Sequence, residues 1–248
     1  MPQREGRSLT QHRPIEMETG FQRNAEGSVL YRAGGTVVLA TASIDDNLPK
    51  WMKEEDGGWL TAEYQMHPRA NPARRDNREG RGRPPKGRTM EIQRLVGRSL
   101  RSALDMKRLG PRVVTVDCDV LEADGGTRTA SITAGYVATA IAIHGLGLIG
   151  VLRDQIAAIS VGHVDGEVRV DLDYAEDSNA RVDMNVVASA TGDLVEVQGT
   201  AEGQAIARKD FDAMLDAGVA SIQELCALQR QTLDACDVSL DILMKRMS

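Results

Sequence analysis

The sequence predicts an α+β fold in which strands are followed by packed helices, twice over. Three observations carry this. Short segments in each half alternate apolar and polar residues, the period of a half-buried strand. Long segments repeat apolar residues at helical spacing, one near the end of each half. Glycine-rich turns mark the joins between them. The order suggests a single domain over 1–248 built from pseudo-duplicated halves, approximately 1–150 and 151–248, although no internal sequence repeat proves it.

Taken in order, Gly27 to Ser43 reads as a hairpin, with apolar alternation, an Ala-Gly-Gly turn and a Val/Leu-rich return strand. Trp59 to Met66 is a further extended segment. Arg69 to Arg88 is rich in Arg, Pro, Gly and Asn without apolar period, and is expected to be a loop. Glu91 to Arg108 is expected to be one helix, with Ile92, Leu95, Val96, Ser99, Ala103 and Leu104 on one face and Arg94, Arg98, Arg101 and Arg108 on another. Val113 to Leu121 alternates as a strand, and Gly125-Gly126 turns into a helix from Thr127 to about His144. Ile156 to Gly162, Glu167 to Leu172, Val182 to Ala188 and Leu194 to Gln198 are the second set of strands. A helix from Asp210 onward buries Phe211, Met214, Leu215, Val219, Ile222, Leu225 and Cys226.

Composition excludes several classes. Three widely spaced cysteines without a CxxC pair argue against a disulfide framework or a structural zinc, and fit a reducing cytoplasm. The amino-terminal MPQREGRSLTQHRP is charged and lacks an apolar signal core, so a cytoplasmic location is expected. Ala130 to Leu152 runs 23 residues without Asp, Glu, Lys or Arg, long enough to span a bilayer. Ser131, Thr133, Thr139 and His144 inside it, with Gly145, Gly147 and Gly150 breaking its far end, fit a buried helix, a turn and the approach to a strand better, and no membrane association is expected. Aromatics make up only 3% of the chain, which predicts little use of stacking platforms for nucleic-acid bases.

The net charge of −6 hides an asymmetry. Between Arg69 and Arg112, 14 Lys and Arg stand against four acids, a local net of +10, while the remainder carries 16 basic and 32 acidic residues. Such a block attracts polyanions whatever the total charge, because phosphate contacts act within a Debye length. On its own, a basic run also fits a solvated loop.

Two segments are chemically pointed. In Asp124-Gly125-Gly126-Thr127-Arg128-Thr129, glycines let the backbone approach a ligand, and the following helix start offers free N–H groups and the positive end of a dipole. Thr127 adds a hydroxyl and Arg128 a forked donor for phosphate oxygens. The same residues also suit an ordinary strand–helix turn. In Glu176 to Asn185, Asp177 and Asp183 lie either side of a bend into a strand. They can hold Mg²⁺ against substrate phosphates, or share a proton and act as a general acid, or simply build an Asp/Asn-rich turn. Asp117 and Asp119 share a strand face and are read as a polar face rather than a metal site. The four histidines show no metal-ligand or triad spacing.

Four long segments in order, GRTMEIQRLVGRSLR (Gly87 to Arg101), VDCDVLEADGGTRTASITAGYVA (Val116 to Ala138), EDSNARVDMNVV (Glu176 to Val187) and EVQGTAEG (Glu196 to Gly203), resemble the ribonuclease PH family. So do GRSLTQHRPI at Gly6, AEGSVL at Ala25 and GWLTAEYQMHPR at Gly58, and the resemblance covers nearly the whole chain. It implies a duplicated ribosomal protein S5 domain 2-like fold, with mixed sheets and packed helices, assembled as a homohexamer that is a trimer of dimers. It implies phosphate-dependent 3′-to-5′ trimming of RNA, tRNA precursors above all, with release of nucleoside 5′-diphosphates and reversible nucleotide addition. In enzyme terms that is a tRNA nucleotidyltransferase. Inorganic phosphate is then the co-substrate, bound by Arg88, Gly126, Thr127 and Arg128. Asp177 and Asp183 become the catalytic pair that holds Mg²⁺, and Arg69, Arg74, Arg75, Arg78, Arg81 and Arg83 the RNA-binding arginines.

Two stretches depart from the family pattern. RGRPPKGRT replaces a Gly-Lys-Gln-Gly-Gly type of loop, and Arg181-Val182 stands where an acidic residue and a Thr are commoner. An added cation at 181 is expected to depress the pKa of Asp183. Two alternatives stay open: a catalytically silent RNA-binding ring subunit of the same fold, and a hydrolytic nuclease using metal-activated water.

Overall fold

A computed structural model describes residue 4, residues 6–79 and residues 84–245. Its first sheet has five strands in the order β1-β2-β3-β5-β4: β1 (Ile15–Thr19), β2 (Gly27–Ala33), β3 (Thr36–Asp45), β4 (Trp59–Met66) and β5 (Val113–Glu122). All neighbours are antiparallel except β4 and β5, which run parallel. The second sheet has four antiparallel strands in the order β7-β6-β8-β9: β6 (Ile156–Val164), β7 (Glu167–Val170), β8 (Val182–Ser189) and β9 (Leu194–Ala201).

The hairpin is as the alternation predicts: β2 and β3 meet through Gly34-Gly35. Gly34 has φ +54, and a Cβ there would lie 2.7 Å from the Arg13 side chain, so glycine is required by both backbone and space.

Helices α1 (Gly87–Ser102), α3 (Thr127–Gly145) and α5 (Arg208–Asp234) form the packed layers. α3 lies between the sheets, packing on β2, β3 and β5 on one side and on β6, β8 and α5 on the other. A helix buried all round must be apolar all round, which is why the stretch from Ala130 carries no charge. Its polar groups are satisfied inside: Ala158 N–H donates to Thr133 Oγ1 at 3.1 Å, and Gln229 Nε2 donates to Thr133 O at 3.0 Å. No helix among the described residues is long and apolar enough to cross a membrane.

The helix expected over Glu91 to Arg108 is instead two. α1 begins four residues earlier and stops at Ser102; the short α2 (Met106–Leu109) follows. Leu104 leaves the helix to bridge Leu152, and Asp105 restarts it by accepting from the N–H groups of Lys107 and Arg108. The basic face of α1 is also partly spent on the fold: Arg101 stacks 4.7 Å above Trp59 and donates to Leu60 O at 3.0 Å, and Arg98 pairs with Glu196 at 2.7 Å.

One hydrophobic core fills the space between the five-stranded sheet, α1 and α3; a second lies between the four-stranded sheet and α5. The first core continues through α3 to Ile156, Ala158 and Val187 on one face of the four-stranded sheet, whose other face carries the second, and the seam between the two sheets is where the pointed segments converge.

Candidate active site

β5 runs out through Glu122 into Ala123-Asp124-Gly125-Gly126, and α3 begins at Thr127. Gly125 and Gly126 have φ +78 and +66, and a Cβ on Gly125 would sit 2.2 Å from Leu172 O. Only glycine passes this seam between the halves. Gly126 is the N-cap of α3 and no side chain caps the helix, so the positive end of a 19-residue helix opens here without a protein acceptor. The Thr127 hydroxyl is held by the buried Tyr64 hydroxyl at 2.9 Å.

A second strand-end brings in the carboxylates. Asp173 and Glu176 form a capping box that starts α4 (Tyr174–Asp177), with Asp177 at its last position. β8 then carries Asp183 and Asn185 on one face. A cavity of about 620 Å³ is lined by Arg88, Gly126, Thr127, Arg128, Asp177 and Asp183, together with Arg69, Asn185, Ser160 and Tyr174. The structure thus brings together every residue singled out for phosphate and for catalysis.

Electrostatics match that placement. Burial lifts Asp177 above the usual carboxylate range, against the pull of the Arg128 and Arg88 cations. Burial also lifts Asp183, and the neighbouring Asp177 charge adds to the rise. The expectation that Arg181 would depress Asp183 is overturned: the cations acting on it are Arg128 and Arg88, and burial outweighs both. Glu202, which the sequence did not single out, also pushes both carboxylates upward.

The basic loop divides. Arg69 lines the cavity, whereas Arg74, Arg75 and Arg78 are exposed outside it. Arg74 pairs with Asp76 at 3.2 Å, and Arg78 lies close enough to Asp119 to act on its charge. Arg81 and Arg83 lie outside the described residues. The loop is closed at its base by Glu79, which accepts from Lys86 N–H at 3.1 Å. Asp117 and Asp119 belong to the outer face of the first sheet beside Glu63 and Gln65. Among the described residues no group of three or more His, Cys, Asp and Glu is placed to hold a metal.

Two features were missed. The first is a buried ion cluster behind the glycine turn, formed by the amino-terminal arginines. Arg13 donates to both oxygens of Asp171 and to the carbonyl of Asp124, while Arg4, Arg7 and Arg169 surround Glu176, the residue before Asp177. The second is an exposed aromatic ring, Tyr174, in the cavity, where low aromatic content predicted little use of stacking. Three arginines within the first 13 residues of an otherwise acidic chain were the available signal for the cluster.

Comparison with known proteins agrees with this architecture. Residues 11–143 match domain 1 of the 3′ exoribonuclease family and residues 154–221 match domain 2. The chain is 51% identical over 237 residues to the ribonuclease PH of Mycolicibacterium smegmatis, covering 93% of this chain and 91% of that one. It is 51% identical to that of Mycobacterium tuberculosis H37Rv over 235 residues, covering 92% and 90%. Rice Rrp46 shares the fold at a TM-score of 0.76 and 20% identity, covering 93% of this chain and all of that one. A chain of the Archaeoglobus fulgidus exosome, solved with RNA bound to the active site, does so at 0.75 and 22%, covering 91% of each.

Proposed function

The chain belongs to the ribonuclease PH family of 3′ exoribonucleases, and from that premise we propose how its own residues perform phosphorolysis of RNA 3′ ends. One observation carries the reading: two arginines, an uncapped helix start and two coupled carboxylates line a single cavity.

Inorganic phosphate occupies the cationic end. The N–H groups at the start of α3 and the guanidinium groups of Arg88 and Arg128 hold its oxygens and offset the repulsion between two anions that must meet. An oxygen of that phosphate attacks the phosphorus of the last RNA linkage. The bond from phosphorus to the 3′-oxygen of the penultimate nucleotide breaks, and that oxygen takes up a proton. The products are a nucleoside 5′-diphosphate and RNA one nucleotide shorter. Since the phosphodiester bond that breaks is exchanged for the phosphoanhydride bond of the diphosphate, the step is reversible with nucleoside diphosphates. Positioning and charge neutralisation supply most of the rate.

Asp177 and Asp183, both raised above the ordinary carboxylate range, are suited to hold a proton next to the leaving 3′-oxygen. They also fit Mg²⁺, which takes one or two carboxylates and completes its shell with substrate phosphates and water. When bound, Mg²⁺ supplies charge stabilisation at the leaving oxygen. Asn185, on the same face of β8, and Ser160 complete the wall. The exposed arginines Arg74, Arg75 and Arg78 attract the body of a longer RNA such as a tRNA precursor.

The same premise extends to a cytoplasmic tRNA nucleotidyltransferase built as a homohexamer, a trimer of dimers, from two pseudo-duplicated halves. A silent ring subunit is disfavoured because no residue of the phosphate or carboxylate set is missing. Trimming a 3′-extended tRNA with and without added phosphate tests the reading. Nucleoside diphosphates released only with phosphate are expected; monophosphates released without it would mean hydrolysis instead.

A further inference from the structure

The chain has four tyrosines. Tyr31, Tyr64 and Tyr136 are buried, whereas Tyr174 is 63% exposed and lines the active-site cavity. It stands one turn ahead of Asp177 on α4, so the two side chains rise from one side of the helix.

The backbone that carries the ring is fixed. Tyr174 N–H donates to Asp124 Oδ1 at 3.2 Å. Asp124 immediately precedes the glycine pair, so one carboxylate ties the ring's residue to the phosphate-binding turn. The capping box of Asp173 and Glu176 fixes the helix start from the other side. A tyrosine ring on a pinned backbone has few torsions left to order when a ligand arrives. The cavity also has an apolar flank formed by Met66, Pro72 and Ala73. Phosphate and carboxylate chemistry has no use for that flank, whereas a flat aromatic ligand does.

We propose that Tyr174 is the platform on which the nucleobase of the 3′-terminal nucleotide stacks, the nucleotide that leaves as the diphosphate. Its ribose and phosphate then lie toward Asp177, Asp183 and the 126–128 turn. This rests on the phosphorolytic reading given above. Every base presents a π-face, so the platform accepts any terminal nucleotide without reading its identity. It supplies the aromatic contact that composition alone argued against.

The test compares the parent enzyme, Tyr174→Phe and Tyr174→Ala on two oligonucleotides, one ending in adenosine and one whose last residue lacks its base. Tyr174→Ala is expected to raise KM about tenfold on the adenosine-ended RNA, the usual scale for losing one base–aromatic stack. Tyr174→Phe keeps the ring and is expected to match the parent. Both variants are expected to match the parent on the abasic end, and KM for inorganic phosphate should not move. An equal loss on both oligonucleotides, a rise in KM for phosphate, or a Phe variant as poor as the Ala variant would overturn the proposal. Failure of the phosphorolytic reading looks different: the parent itself would release no diphosphate from either RNA.

Discussion

The Arg13 guanidinium straddles Asp171, with Nε 2.9 Å from Oδ2 and Nη2 2.7 Å from Oδ1, while its Nη1 donates to Asp124 O at 2.6 Å. One buried side chain thereby joins the segment leading to α4 and the turn leading to α3. Thr36 reinforces it by donating to Gly125 O at 2.7 Å. The two halves of the active site are held in mutual register from behind.

Breaking this pair leaves an uncompensated buried charge. Asp171→Ala is expected to cost about 3–5 kcal/mol of stability, read as a lower urea midpoint. Burial works to raise Asp171, but the hydrogen bonds and charge of Arg13, with Arg7 behind them, outweigh it and hold the carboxyl below its usual range. A depressed carboxyl stabilises the fold above its unfolded pKa of about 3.9 and loses that contribution as pH falls through the folded value. The difference in Tm between the parent and Asp171→Asn should therefore be wide at neutral pH and narrow below about pH 4. A gap that stays constant as the pH falls well below that range would contradict the assignment.

Arg88→Ala and Arg128→Ala each remove a charge-assisted hydrogen bond to phosphate worth about 1.5–3 kcal/mol. Each is expected to raise KM for inorganic phosphate roughly ten- to a hundredfold, with tRNA affinity nearly unchanged because the outer loop is untouched. Steady-state kinetics with varied phosphate provides the check, and unchanged phosphate dependence in both variants counts against the anion site.

Asp177→Asn and Asp183→Asn keep shape and lose charge. Both are expected to abolish trimming and reverse addition. A carboxyl held above its unfolded pKa makes folding less favourable as it ionises, so at pH 8 in EDTA neither variant should melt below the parent. Retained activity of Asp183→Asn in both directions would remove its catalytic role.

Arg74, Arg75 and Arg78 are exposed outside the cavity, where they act through long-range charge. Neutralising all three is expected to flatten the log–log salt dependence of tRNA affinity by roughly two to three units. Trimming of a very short oligonucleotide should change far less. A salt titration of tRNA binding that gives the parent's slope would mean that the loop is only a solvated surface.

Much of this was legible in the sequence because the signals were local. Gly125-Gly126 before an apolar run specifies a turn into a buried helix, and Val/Leu alternation specifies β2, β3 and β5. The Arg13–Asp171 pair was not legible, since 158 residues separate its members and only the completed fold brings them together. The break between α1 and α2 escaped for a related reason: the bridge from Leu104 to Leu152 overrides the helical period. Tyr174 was hidden by composition, because a low aromatic count says nothing of where one ring is exposed. Arg98 and Arg101 read as nucleic-acid cations, yet Glu196 and Trp59 engage them.

The central claim is that inorganic phosphate, held between Arg88, Arg128 and the start of α3, is the attacking group. Trimming in ³²P-labelled phosphate tests it most directly. Label is expected to enter the β-phosphate of the released nucleoside diphosphate, and Arg128→Ala to slow its appearance. Label that stays in free phosphate while nucleoside monophosphate accumulates would contradict it.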